Sequence, residues 1–208
     1  MNLQKKALSG IAWTFSEAFF LNGLILLTTI YLARLLGPEA FGLIGMISIF
    51  VAIGTTLVDS GMSSSLVRSS NVNNKDFSTV FYVNLVVSVV VYLLVFFSAP
   101  LISAYYNQPL LTPLLRVYCL NFVIGALSAV QLAILNREMN FRKIATLNAP
   151  ATVVSILTAI IMAYLDCGVW SIIGMYLSKQ IVLSIGLWVS TKWKPSLYFS
   201  KNRLKLHF

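Results

Sequence analysis

A chain of 208 residues that is 58% hydrophobic and only 10% charged has too little polar sequence to cover a water-soluble fold of its size, which excludes a soluble globular domain. Its net charge of +9 would suggest nucleic acid in a soluble protein; placed as it is here it reads as membrane topology, and nucleic acid is excluded as a partner. Two cysteines and one histidine, His207, leave no disulfide framework, no metal site and no histidine-based acid–base chemistry.

A bilayer core about 30 Å thick asks for roughly 20 apolar residues per helix. Six blocks meet that need: 10–31, 41–57, 77–97, 111–135, 144–164 and 169–189. The expected fold is therefore all-α, a polytopic membrane protein with six transmembrane helices in residues 1–190 and a basic interfacial tail over 191–208. The first block carries Glu17 and lacks a small-residue cleavage site, so it reads as a retained helix rather than a signal peptide. Gly37-Pro38 stops it, with Pro38 placed to open the next helix without losing a hydrogen bond. Arg34 and Glu39 flank that break and suit a surface pair. Span two carries Gly42, Gly45 and Gly54, which read as points of close helix approach or as residues that line a cavity or permit bending.

Asp59-Ser60-Gly61 and Arg68 follow at the inner side. Span three is rich in Val and Phe and reads as largely lipid-facing. The stretch from Pro100 to Pro109 is an outer turn with Tyr105 and Tyr106 at the interface. Span four contains Arg116, Asn121 and Gln131. Span five has Asn148 and Pro150 near its inner end, where Pro150 either kinks the helix or begins its regular part. Span six holds Lys179 and Gln180, with Trp170 at its outer end and Trp188 and Trp193 at its inner end.

Lys5 and Lys6 precede span one. Arg68 and Lys75, then Arg137, Arg142 and Lys143, then Lys192, Lys194, Lys201, Arg203 and Lys205 follow every second span. The positive-inside rule puts that side, and with it both termini, in the cytoplasm.

The sequence has no P-loop, no glycine-rich dinucleotide signature and no carboxylate pair spaced for hydrolysis, so no catalytic residue, enzyme activity or cofactor is expected. Chemistry is expected instead from polar groups in the apolar phase. Lys179 lies about 15 Å from either end of span six, too deep for easy snorkelling. Charged groups at such depth mark transport paths, and the structural alternative is an ion pair, for which Glu17 is the partner at matching depth. Arg116, near the outer surface, is either a headgroup anchor or a cationic lining for an anionic substrate. Asn22, Asn121, Gln131, Asn148 and Gln180 are either interhelical hydrogen-bond glue or sugar-binding groups. These features favour a transporter over a membrane scaffold or assembly partner.

Four motifs in order add a resemblance. Ser9-Gly10-Ile11-Ala12-Trp13 is followed by Ala33-Arg34-Leu35-Leu36-Gly37-Pro38-Glu39-Ala40-Phe41-Gly42. Next comes Asp59-Ser60-Gly61 ahead of Leu66-Val67-Arg68, and finally Leu135-Asn136-Arg137-Glu138-Met139-Asn140-Phe141-Arg142. Together they resemble the N-terminal half of bacterial polysaccharide exporters of the O-antigen and colanic-acid type, in the multidrug/oligosaccharidyl-lipid/polysaccharide flippase superfamily. The resemblance implies one lobe of a two-lobe flippase that moves an undecaprenyl-diphosphate-linked oligosaccharide across the inner membrane for lipopolysaccharide or exopolysaccharide synthesis. It implies membrane lipids and the polyprenyl-linked glycan as partners, and a second six-helix lobe that is encoded separately or missing. Lys179 and Arg116 would then attract the diphosphate and the amides would face the glycan. A multidrug-type exporter half is the competing transporter reading, although its often cationic substrates would be repelled by a Lys/Arg-bearing interior.

Overall fold

The computed structural model describes the backbone of residues 3–58, 74–191 and 193–195, and the side chains within these stretches from Phe19 and from Asp76 onward. The expected motif residues Asp59, Gly61 and Arg68, and most of the basic tail, lie outside the described residues. Six helical elements follow one another: α1 Leu3–Val58, α2 Asn74–Tyr105, α3 Leu111–Tyr118, α4 Leu120–Arg137, α5 Phe141–Tyr164 and α6 Trp170–Ser190.

Among the described residues, five helical stretches are long and apolar enough to cross a membrane, not the six expected: Phe19–Val58, Asp76–Tyr105, Leu111–Arg137, Phe141–Tyr164 and Trp170–Ser190. The correction falls on the first two expected spans, 10–31 and 41–57, which belong to the single 56-residue element α1. Gly37-Pro38 reads as a helix stop, yet only Gly37 leaves helical geometry, at φ 77° and ψ 174°. Pro38, whose ring fixes φ near the helical value and which has no N–H to satisfy, re-enters the helix at once, so no connecting loop forms. The break still redirects the chain. Before it, Leu32 packs with Ala159, Ala163, Ile172 and Met175 of α5 and α6, and the Tyr31 hydroxyl donates to that of Tyr164 at 2.9 Å. After it, Leu43 and Ile47 join a different cluster with Ala99, Leu111, Leu114, Leu115 and Ile173.

The backbone at Gly37 is in a region that residues with a Cβ scarcely enter. Gly37→Ala is expected to lower stability by about 1–3 kcal/mol, read as a reduced Tm in detergent, even though no neighbouring atom crowds the new methyl.

Helix α2 also runs further than expected, through Pro100 to Tyr105. Proline has no N–H, so the carbonyl of Phe96 four residues earlier loses its helical donor. Arg116 Nε supplies one instead at 3.3 Å. Pro150 lies inside α5, which begins at Phe141 with the Asn140 side chain accepting from the Lys143 N–H.

Helix contacts are made by small residues, as suits a bundle in which lipid competes equally for large apolar side chains. Ala99, Ala126, Ala151, Ala159, Ser88, Ser155 and Ser171 are all buried. The glycines behave unequally. Gly42 and Gly45 are exposed with open space around them, whereas Gly54 is buried with the Phe122 ring seated where a Cβ would be. Large apolar side chains such as Phe19, Leu27, Leu94, Phe97 and Leu101 stand exposed along the helices, a surface suited to lipid and not to water. The protein is a multi-pass, all-α membrane protein.

Candidate functional site

The site is built around Lys179. It lies near the middle of α6 (Trp170–Ser190), about 15 Å from either end at 1.5 Å per residue. On α6, Tyr176, Lys179, Gln180, Leu183 and Leu187 follow helical spacing and share one face. On α4, Asn121, Phe122, Gly125, Ala129 and Leu132 do the same. These two stripes line a common cleft of about 490 Å³ with Val51 and Thr55 of α1 and Asn84 of α2. Gly125 permits their close approach: Gln180 Nε2 lies 3.4 Å from where a Cβ on that glycine would stand. Tyr118 and Tyr176 meet edge to face across the same cleft, with ring centroids 5.5 Å apart.

A second cleft, of about 300 Å³, opens between the first half of α1, the C-terminal end of α4, α5 and α6. Asn22, Asn136, Asn148 and Thr152 line it, and so does Lys179. Lys179 therefore borders both clefts, and it is the one Lys, Arg, Asp or Glu that does so in either among the described residues. The side chains of Asn22, Asn121, Asn148 and Gln180 make no hydrogen bond among the described residues. Among the described residues they stand along the cleft walls without an interhelical partner. Chemically the arrangement offers one cation for an anionic group, neutral donors and acceptors for hydroxyls, and apolar helix faces beside them.

The other expected residues are dispersed. The side chain of Glu17 lies outside the described residues, so its pairing with Lys179 is not described. Arg116 is not among the residues lining these two clefts; its guanidinium lies over the Phe96 ring at 4.1 Å while Nε caps the Phe96 carbonyl. Gln131 is fully buried, and neither its Nε2 nor its Oε1 has a partner among the described residues. Arg34 and Glu39 are exposed on either side of Gly37 and Pro38, with no ion pair between them among the described residues. Arg137 sits half-buried in the last turn of α4. Cys119 and Cys167 are free thiols.

Asn84 was not foreseen. It is buried in α2 and borders the larger cleft. The available signal was a lone amide in a Val- and Phe-rich span, which is costly in lipid unless turned inward.

An amide buried without partners destabilises the fold, and an apolar side chain of like size removes that penalty. Gln131→Leu is expected to raise stability by about 1 kcal/mol, measured by thermal or denaturant unfolding in detergent. A fall would show that the amide is satisfied in the membrane.

The family described as "Polysaccharide biosynthesis protein" matches residues 31–208. The chain is 26% identical to the lipopolysaccharide biosynthesis protein WzxC of Escherichia coli (strain K12), covering 96% of this chain and 41% of that protein. It is 26% identical to the succinoglycan biosynthesis transport protein ExoT of Rhizobium meliloti (strain 1021), over 96% of this chain and 40% of that one. It is also 21% identical to the teichuronic acid biosynthesis protein TuaB of Bacillus subtilis (strain 168), over 100% and 43% respectively. The chain thus spans about two fifths of the length of these curated relatives. No solved structure matches it significantly.

Proposed function

Because this chain belongs to the polysaccharide biosynthesis protein family, we propose that its helical bundle is one lobe of a transporter that carries a polyprenyl-diphosphate-linked oligosaccharide across the bacterial inner membrane. The observation that carries this reading is Lys179, the one cation among the described residues that line two amide-bearing clefts. A diphosphate supplies counter-charge to an ammonium at this depth. The open amides Asn121, Gln180, Asn22 and Asn148 suit sugar hydroxyls, while the polyprenyl tail stays in the lipid against the exposed apolar faces. The name of the Rhizobium relative, which contains the word transport, supports movement of the glycan over its assembly.

Relatives more than twice this length support a cavity whose remaining wall comes from further helices of the same kind, in one polypeptide or two. The two lobes would rock about the substrate between inward- and outward-open states. The charge bias of the sequence supports placing the α4–α5 turn and the C-terminal end of α6 on the cytoplasmic side.

The test is surface glycan in a bacterial strain deleted for its own exporter and expressing this chain at confirmed membrane levels. It is done with the chain alone and with the remaining portion of a full-length relative supplied. Recovery in either arrangement supports the reading. Recovery only in the second assigns the chain the role of one lobe. No recovery in both, with the protein present in the membrane, rejects it.

A further inference from the structure

We propose that a shallow basic cleft, where the start of α5 meets the end of α6, holds the phosphate headgroup of an anionic phospholipid. The cleft is separate from the two that meet at Lys179 and does not depend on the transport reading. It measures about 430 Å³ and is lined by Asn140, Arg142, Lys143, Thr146, Leu147 and Ser190.

Its chemistry is that of an anion site. Lys143 Nζ donates to the Ser190 carbonyl, which ties the two helix ends and fixes the ammonium in the cleft with two N–H donors to spare. Arg142 is exposed and has no ion pair among the described residues. The Asn140 Oδ1 is taken by the Lys143 N–H at 3.3 Å, leaving its NH₂ group as a donor. Thr146 Oγ1 donates to the Arg142 carbonyl at 2.8 Å. Among the described residues no carboxylate lines the cleft; Glu138, the nearest acid in sequence, is exposed on the preceding turn.

A free phosphate and a phospholipid share this chemistry, and the neighbouring surface decides between them. Ile181, Ile185 and Val189 of α6 are exposed at intervals of four residues, so they form one apolar stripe running from the depth of the membrane to the level of Ser190. A soluble anion has no use for that stripe. Two acyl chains laid along it would put a headgroup phosphate in the cleft, and basic pockets between helices at the cytoplasmic boundary attract anionic lipid for this reason.

The experiment is native mass spectrometry of the 208-residue chain released from nanodiscs of mixed phosphatidylglycerol and phosphatidylcholine. Phosphatidylglycerol should be retained in preference. Arg142→Gln should lower that retention about fivefold, the effect of one basic residue at a lipid surface, and Arg142→Lys should largely keep it. Arg142 is exposed, so loss of fold is not expected from either change, and circular dichroism checks this. Equal retention of the two lipids, or full retention in Arg142→Gln, overturns the proposal. Displacement of the retained lipid by inorganic phosphate at comparable concentration also overturns it, since that marks a site for the anion alone.

Discussion

On the proposed transport function, Lys179→Met should lower surface-glycan export roughly tenfold or more at unchanged membrane levels, in whichever arrangement restores export, the loss expected when a charge-assisted contact to a bound anion is removed. Lys179→Arg should keep most of the activity because it restores the cation. The methionine variant retains the length and apolar stem of lysine, so the comparison isolates charge from packing. Stability gives an independent reading. A cation in the middle of α6 is costly to keep among apolar helices, so the methionine variant should unfold at an equal or higher temperature than the parent. Lower export together with unimpaired stability is the pattern of a residue retained for function. Unchanged export by Lys179→Met would remove this residue from the transport mechanism, even if the family assignment stands.

The second large effect is steric. Gly54 of α1 faces Phe122 of α4, whose ring occupies the place of a Cβ. Phe122 is 4% exposed and packed with Val91 and Cys119, so it has little freedom to withdraw. Gly54→Ala should therefore destabilise the bundle by about 1–3 kcal/mol, the usual range for overpacking. Phe122→Leu shortens the opposing side chain and should recover a substantial part of that loss in the double variant. A double-mutant cycle on unfolding in detergent measures the coupling. Additive effects would show that the two residues do not meet in the membrane. Phe122 also lines the large cleft, so on the proposed transport function a swollen contact there should reduce export along with stability.

Much of the chemistry was legible because the membrane makes polar residues conspicuous. Lys179 stood out from depth alone, and the structure places it where two clefts meet. Asn121 and Gln180 could be named as polar, yet that they border one cleft is visible only where Gly125 lets α4 come against α6. Arg116 shows the limit of one-dimensional reading. Its depth suited an anion site or a headgroup anchor, whereas its Nε caps the Phe96 carbonyl that Pro100 leaves without a donor. Both residues of that arrangement are visible in the sequence. Their meeting is not, because it joins separate helices.

The sequence by itself determined the solvent, the helical class and the polar groups that a bilayer would force inward, since each backbone must satisfy its own hydrogen bonds and each charge must find a counterpart. It also marked Gly37-Pro38 as a break. Only the tertiary structure decided how small that break is, one residue within α1, and so reduced the six expected spans to five long apolar stretches. It also decided which helix faces pack and which line clefts. Lipid and a neighbouring helix are equally apolar, so hydropathy cannot tell one from the other; the fit of small residues and single rings against their neighbours does.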